Sequence, residues 1–340
     1  MNDGSLKTLF YPFEAGVLDG PGEDARVLFL NAVPAFRLPE DFPGKITLQQ
    51  EFRPTFRALE NSGHELAPQP EGEGYDLTLL LTGRHRGQNE LWVAEALRRT
   101  KPGGRIVIAG GKTDGAASLR KRISSLCAVD DHASKNHGVV FWMTRAEDVE
   151  DVASALEVAN PPLILDGGYL TVPGIFSHEH VDAGSQLLAE NLPLDIKGHV
   201  ADFGAGWGYL SVMLALKSSA IASIDLFDAS FSACVAAKAN MGNLAANVES
   251  RVQWYDLLEE KPQQRYDAII MNPPFHQSRA AEPVIGEGMI RAAAAALKLG
   301  GRLFMVANRT LPYETALNAS FARSGEIVRD GKFKILWAVR

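Results

Sequence analysis

The chain has 340 residues, 46% hydrophobic and 22% charged, and is longer than one compact core usually accommodates. Two domains, each burying its own core, are expected, and the absence of a low-complexity tract excludes a long disordered arm. A formal charge of −7 on its face argues against nucleic acid as a partner, because nonspecific affinity for phosphate comes from Lys and Arg.

No apolar run is long enough to cross a bilayer, and Met1-Asn2-Asp3-Gly4 lacks the basic start and apolar stretch of a signal peptide. A cytoplasmic protein without membrane contact is the expectation. Cys127 and Cys234 lie far apart with no Cys or His at ligand spacing, which argues against a disulfide framework or a zinc site and for packing roles.

In the first half, Tyr75-Asp76 opens the apolar run Leu77 to Leu81, and a helical pattern follows through Leu91, Ala94 and Leu97. Lys101-Pro102-Gly103-Gly104 then leads into Arg105-Ile106-Val107-Ile108, and an aromatic-rich strand spans Gly138 to Thr144. Between Arg84 and Arg145 there are 12 Lys or Arg against 5 Asp or Glu, a local balance of +7 against −14 for the rest. Arg120-Lys121-Arg122 within it reads equally well as a solvated helical face. After the helical spacing of Val149, Val152, Ala153 and Leu156, Asn160-Pro161-Pro162 cannot continue a helix, which places a domain boundary between 1–160 and 161–340.

The second half repeats the order. Tyr266-Asp267 opens Ala268 to Met271, a helix follows through Met289, Ile290, Ala293 and Leu297, Leu299-Gly300-Gly301 leads into Arg302 to Val306, and Phe333 to Val339 closes the half. Short apolar runs between glycine turns and helices mark strands buried on both faces of a mostly parallel sheet, so both halves read as α/β sandwiches related by duplication.

Two segments of the second half carry chemistry. In His199-Val200-Ala201-Asp202-Phe203-Gly204-Ala205-Gly206-Trp207-Gly208-Tyr209-Leu210 a strand ends at Asp202, and Leu210, Met213 and Leu214 give the following helix one buried face. Glycines in such a turn let the backbone approach a ligand. A dinucleotide fingerprint would place its third glycine where Tyr209 stands, which disfavours NAD. An acid upstream of G-x-G-x-G instead resembles the first motif of class I methyltransferases. That resemblance implies S-adenosylmethionine as cofactor, with Asp202 near its cationic amino acid and Gly204, Ala205, Gly206 and Gly208 in the loop. Asp228, ending the strand from Ile221 to Phe227, is placed to accept the ribose hydroxyls, with Asp225 as runner-up. Asp256, after Val252-Gln253-Trp254-Tyr255, has the position at which this class contacts the adenine amine.

The strand Ala268 to Met271 runs into Asn272-Pro273-Pro274-Phe275. Consecutive prolines hold the segment extended and aim its neighbours. Asn272 and the Pro273 carbonyl offer two acceptors for the hydrogens of an exocyclic amine, and Phe275 offers a ring for a base to stack on. Such an amine is a poor nucleophile because its lone pair is delocalised; two acceptors would favour a pyramidal nitrogen, with neither metal nor strong base required. Adenine, guanine and glutamine methylases all use relatives of this tetrapeptide.

Pro173-Gly174-Ile175-Phe176-Ser177, Asp182 to Leu188, the glycine loop, Asn272 to His276, Val306-Ala307-Asn308 and Gly331 to Lys334 together resemble the ribosomal RNA guanine-N2 methyltransferases of the RsmC type, densely over 165–340. The resemblance implies two tandem Rossmann-like class I methyltransferase domains, the N-terminal one degenerate and helping to bind RNA, and a guanine of small-subunit ribosomal RNA as substrate. In the first half, Ala32-Val33-Pro34 stands where a glycine loop belongs and Thr82-Gly83-Arg84-His85-Arg86 where the tetrapeptide belongs, so that copy should neither bind cofactor nor catalyse. His178-Glu179-His180 departs from the family pattern and lacks further metal ligands. The expected protein is a monomeric RNA methyltransferase acting on ribosomal RNA or the small subunit. An adenine-N6 or glutamine methylase, or a noncatalytic RNA-binding protein, are the alternatives.

Overall fold

The computed structural model describes residues 3–274 and 282–340; Phe275 and His276 lie outside the described residues. The chain divides into two compact units, Met1–Pro161 and Pro162–Arg340.

In the first unit the strands are β1 (Val27–Leu30), β2 (Thr47–Gln49), β3 (Glu65–Ala67), β4 (Tyr75–Leu81), β5 (Thr100–Gly111), β6 (Asp131–Lys135) and β7 (Gly138–Thr144). Their order across the sheet is β3-β2-β1-β4-β5-β7-β6, parallel from β3 to β5 and antiparallel at β7 and β6. The second unit opens with a small hairpin, β8 (Leu163–Leu165) and β9 (Tyr169–Thr171). Its main strands are β10 (Gly198–Phe203), β11 (Ile221–Asp228), β12 (Glu249–Trp254), β13 (Tyr266–Met271), β14 (Leu297–Asn308), β15 (Arg323–Arg329) and β16 (Phe333–Val339). They repeat the first order strand for strand, β12-β11-β10-β13-β14-β16-β15, with the same antiparallel pair at the end.

Helices cover both faces because successive residues of a buried strand point opposite ways. In the second unit Val200, Ile224, Leu226 and Ile270 pack with α6 (Ala183–Asn191), α7 (Tyr209–Lys217) and α8 (Phe231–Leu244), while Ala201, Phe203, Phe227 and Met271 pack with α9 (Glu282–Ala296) and α10 (Tyr313–Ser320). In the first unit α1 (Asp3–Glu14) and α2 (Arg53–Leu59) cover Val27, Phe29 and Leu79, and α3 (Arg86–Arg99), α4 (Ala116–Ser124) and α5 (Glu150–Val158) cover Leu28, Leu30 and Leu80. Each such aliphatic side chain contributes about 1.5–3 kcal/mol on burial.

The shared Tyr-Asp signature has a structural cause. Asp76 Oδ2 accepts from Arg26 N at 2.7 Å and pairs with Lys101; Asp267 Oδ2 accepts from His199 N at 2.8 Å and pairs with Lys298. The expected turns at Lys101–Gly104 and Leu299–Gly301 lie instead within long strands that carry a register shift. A Cβ on Gly104 would lie 2.9 Å from Lys101 O, and one on Gly301 2.9 Å from Lys298 O, so only glycine fits that irregularity in either copy. Of the cysteines, Cys234 is buried and Cys127 only half so.

Candidate active site

The glycine loop leaves β10 after Phe203, at the C-terminal edge of the parallel strands, where open α/β sheets bind ligands. Gly204, Gly206 and Gly208 have φ of +74°, +54° and +87°. Gly204 N and Ala205 N both donate to Phe227 O, at 2.9 and 3.0 Å, and Gly206 N donates to Asp228 Oδ2 at 2.7 Å, so the neighbouring strand end holds the loop. Among the described residues a Cβ on Gly206 would meet no atom within 4 Å, whereas one on Gly208 would touch Ala237 and Leu226 at 3.4 Å. Gly206 thus faces open space, and Gly208 serves as the left-handed N-cap of α7.

Asp202 is fully buried. Its Oδ2 accepts from Ser211 Oγ at 2.7 Å, while Oδ1 is buried with no hydrogen-bond partner among the described residues. Burial pushes its carboxyl up to about 7; the Ser211 hydrogen bond opposes this and the charge of Asp228 adds to it. Asp228 is used inside the fold: Oδ1 accepts from Ser230 N at 2.8 Å and Oδ2 from Gly206 N. Burial raises its pKa and these backbone donors oppose the rise. Ala229 adds a third backbone donor, and a carboxylate with about four acceptor sites still has capacity beyond these three.

Asp256 is buried just past β12, and its Oδ1 accepts from Leu258 N at 3.2 Å, shaping a turn. Tyr255 N donates to Asp228 O at 2.8 Å, which keeps this turn beside the end of β11. Asp225 is an internal structural acid, accepting from Arg251 Nε at 3.1 Å, Tyr266 Oη at 2.8 Å and Gln264.

Asn272 leaves β13 next to the loop; a Cβ on Gly204 would lie 3.7 Å from its carbonyl oxygen. One cavity is lined by Gly204, Ala205, Gly206, Trp207, Asn272, Asp182, Ser185 and Phe176-Ser177, among others. The structure therefore brings Asn272 to the loop, with Pro273 buried and Pro274 exposed beyond it, while Asp202, Asp228 and Asp256 sit along the strand ends outside that lining. The Asn272 amide nitrogen donates to Asp182 Oδ2 at 2.9 Å and Ser185 Oγ at 2.8 Å, and its Oδ1 is buried without a partner among the described residues.

Sequence reasoning missed these two partners of Asn272, although Asp182 before a helical segment is a readable N-cap; it accepts from Ser185 N at 2.8 Å. It also missed Ser211, and the strap formed by Trp207 Nε1 donating to Phe176 O at 3.1 Å beside Ser177, a non-glycine residue at φ +53°. No group of metal-ligating side chains occurs among the described residues, His178-Glu179-His180 included.

Register identifies the same positions in the first unit. Leu28 pairs with Thr78 and Ala201 with Ile269, so Phe29 stands where Asp202 stands and Asn31 where Gly204 stands. Leu81, the last residue of β4, and Thr82 and Gly83 after it stand at the places of Asn272, Pro273 and Pro274, and Gln50 occupies the place of Asp228. Phe29 sits among Phe10 and Phe36, with ring centroids at 6.5 and 5.4 Å. Gln50 Nε2 donates to Ala32 O at 2.7 Å and its Oε1 accepts from Phe52 N at 2.8 Å; Asn31 Nδ2 donates to Leu81 O at 2.8 Å.

The family model described as the methyltransferase small domain matches residues 166–337. Among curated relatives, Ribosomal RNA small subunit methyltransferase C of Sodalis glossinidius (strain morsitans) is 38% identical over 176 residues, covering 50% of this chain and 47% of that protein. The protein of the same name from Shewanella pealeana is 29% identical over 280 residues, covering 80% and 79%. The alignment with the first spans about half of that relative's length. A solved T. thermophilus structure, a 16S rRNA N2 methyltransferase (RsmC) in complex with AdoMet and guanosine, superposes with a TM-score of 0.77 at 24% identity, covering 93% of this chain and 88% of that one. That likeness is one of fold and extends over both units.

Proposed function

Because the chain belongs to the methyltransferase small domain family, we propose that its second unit methylates the exocyclic N2 amine of a guanine in small-subunit ribosomal RNA, using S-adenosylmethionine. The names of the curated relatives support the substrate class. The observation that carries the reading is the buried, unpartnered Asn272 Oδ1 in the cavity that the glycine loop lines.

The residues fit the cofactor. A buried carboxylate oxygen without a partner, Asp202 Oδ1, suits a cationic amino-acid group, and the open side of Gly206 leaves room for close approach. When bound, S-adenosylmethionine would supply an electrophilic methyl group and leave as the neutral thioether, the amine nitrogen taking the methyl and losing its extra proton to water. Asn272 Oδ1 accepts one amine hydrogen and the Pro273 carbonyl the other, turning the lone pair out of the ring plane. Phe275 stacks on a base withdrawn from its neighbours. Asp228 and Asp256 hold ribose and adenine. A monomer acting in the cytoplasm is part of the same proposal; among the described residues no helix is long and apolar enough to cross a membrane.

The first unit, in this reading, docks RNA, with Arg84 and the largely exposed Arg86 at the strand end where the second unit carries its tetrapeptide. The test uses small and large ribosomal subunits from cells lacking the gene, methyl-labelled cofactor, and nucleoside analysis of the product. Label in N2-methylguanosine of the small subunit is expected; label in N6-methyladenosine, in glutamine or in the large subunit would overturn the substrate.

A further inference from the structure

A carboxamide has two nearly isosteric orientations, differing in which face presents the acceptor oxygen. Methylation of an amine needs that oxygen toward the substrate. Something must therefore choose and hold the orientation before the substrate arrives, or the amine meets donors where it needs an acceptor.

We propose that Asp182 and Ser185 are positioning residues that lock the Asn272 amide with its oxygen facing the substrate amine; that this amine is guanine N2 rests on the functional reading above. The Asn272 amide nitrogen donates to Asp182 Oδ2 at 2.9 Å and to Ser185 Oγ at 2.8 Å, which uses both of its hydrogens. Asp182 Oδ2 accepts in addition from Ser185 N at 2.8 Å, so helix capping and amide positioning share one oxygen. An ionised carboxylate has no hydrogen to give, so a flipped Asn272 would set two acceptors against each other at hydrogen-bond distance.

The orientation that remains leaves Oδ1 buried and without a partner among the described residues. A buried acceptor of this kind is costly unless a ligand satisfies it, which is the condition the substrate amine meets. The clamp is itself held. A Cβ on Gly184 would lie 3.1 Å from Asp182 Oδ2 and 3.2 Å from the Phe333 ring, so the first turn of α6 packs close between them. In the first unit nothing needs positioning: Leu81 stands at the place of Asn272, and its backbone oxygen is taken by Asn31.

Two readouts judge the clamp. In nitrogen-15 spectra of the full chain, the Asn272 side-chain NH2 pair, assigned by its loss in Asn272→Asp, is expected to exchange slowly with water. Asp182→Ala and Ser185→Ala should speed that exchange and each lower kcat about tenfold or more, the worth of one hydrogen bond made only at the reacting centre. S-adenosylhomocysteine affinity by calorimetry should stay within about threefold, since binding is not the step affected. Asp182→Asn, which retains an acceptor oxygen and an N-cap, should recover most of both losses. Combined with Asn272→Ala, either alanine variant should add nothing further. Free exchange of the wild-type amide, wild-type turnover in both alanine variants, or full additivity with Asn272→Ala would each refute the clamp. A labelled product other than N2-methylguanosine would remove the substrate reading, and the exchange and additivity measurements on that product would still decide the clamp.

Discussion

The two units share a strand order, the Tyr-Asp/Lys arrangement at the start of the fourth strand and the crowded glycine in the fifth, yet they differ at the C-terminal ends of the same strands. In the second unit that edge holds buried polar atoms with no partner among the described residues, Asp202 Oδ1 and Asn272 Oδ1. At the matching places the first unit has Phe29, inside an aromatic cluster, and Leu81, while Asn31 and Gln50 spend their amides on nearby backbone. Thr82 Oγ1 is an exception, a buried hydroxyl without a partner among the described residues. Duplication thus preserved what closes the sheet and replaced what would touch a ligand. An unpaired buried polar atom is costly unless something else completes it, and at the matched positions Phe29, Leu81, Asn31 and Gln50 packing or internal hydrogen bonds remove that cost.

The largest expected effect comes from forcing the second unit's chemistry on the first. Phe29→Asp removes an aromatic core residue and buries a carboxyl among rings, which should cost more than about 3–5 kcal/mol in chemical denaturation and restore no cofactor binding. Next is Asn272→Ala. Loss of the acceptor that strengthens at the reacting centre should lower kcat about 10²–10³-fold while S-adenosylhomocysteine affinity, read by calorimetry, stays nearly unchanged.

Asp202→Asn should weaken cofactor affinity by about 10–100-fold by removing the charge opposite a cation. The pH dependence gives this prediction a sign. Asp202 titrates near 7 folded against 3.8 ordinarily, so the folded cofactor-free chain binds more protons between those values, and stability relative to Asp202→Asn should fall as pH rises through that window. Cofactor affinity should rise over the same range by at most about tenfold per pH unit, because a cation binds the ionised form. The smallest effect belongs to the first unit: reversing Arg84 and Arg86 should lower RNA affinity several-fold at low salt and less at high salt, measured by filter binding. Unchanged affinity would remove the docking role.

Much of the fold was legible because strands buried on both faces leave continuous apolar runs, and Leu77–Leu81 and Ala268–Met271 are such runs. Helix faces were read less well. Of the α7 face expected at Leu210, Met213 and Leu214, Leu210 and Leu214 are buried and Met213 only partly so, while Ser211, Val212 and Ala215 are buried as well, because the helix is enclosed on more than one side. At the site, glycines and acids announced themselves through spacing, since a left-handed turn and a strand-end carboxylate demand those residue types. The Asp182 and Ser185 contacts were not legible: they span 90 and 87 residues in sequence, and no local pattern encodes which side chain a distant helix cap will meet.

The division between the units is tested most directly by calorimetric titration of the full chain with S-adenosylhomocysteine. One site per chain is expected, retained in Gln50→Ala and lost or strongly weakened in Asp228→Ala. Two sites, or a site that survives Asp228→Ala and disappears with Gln50→Ala, would contradict it.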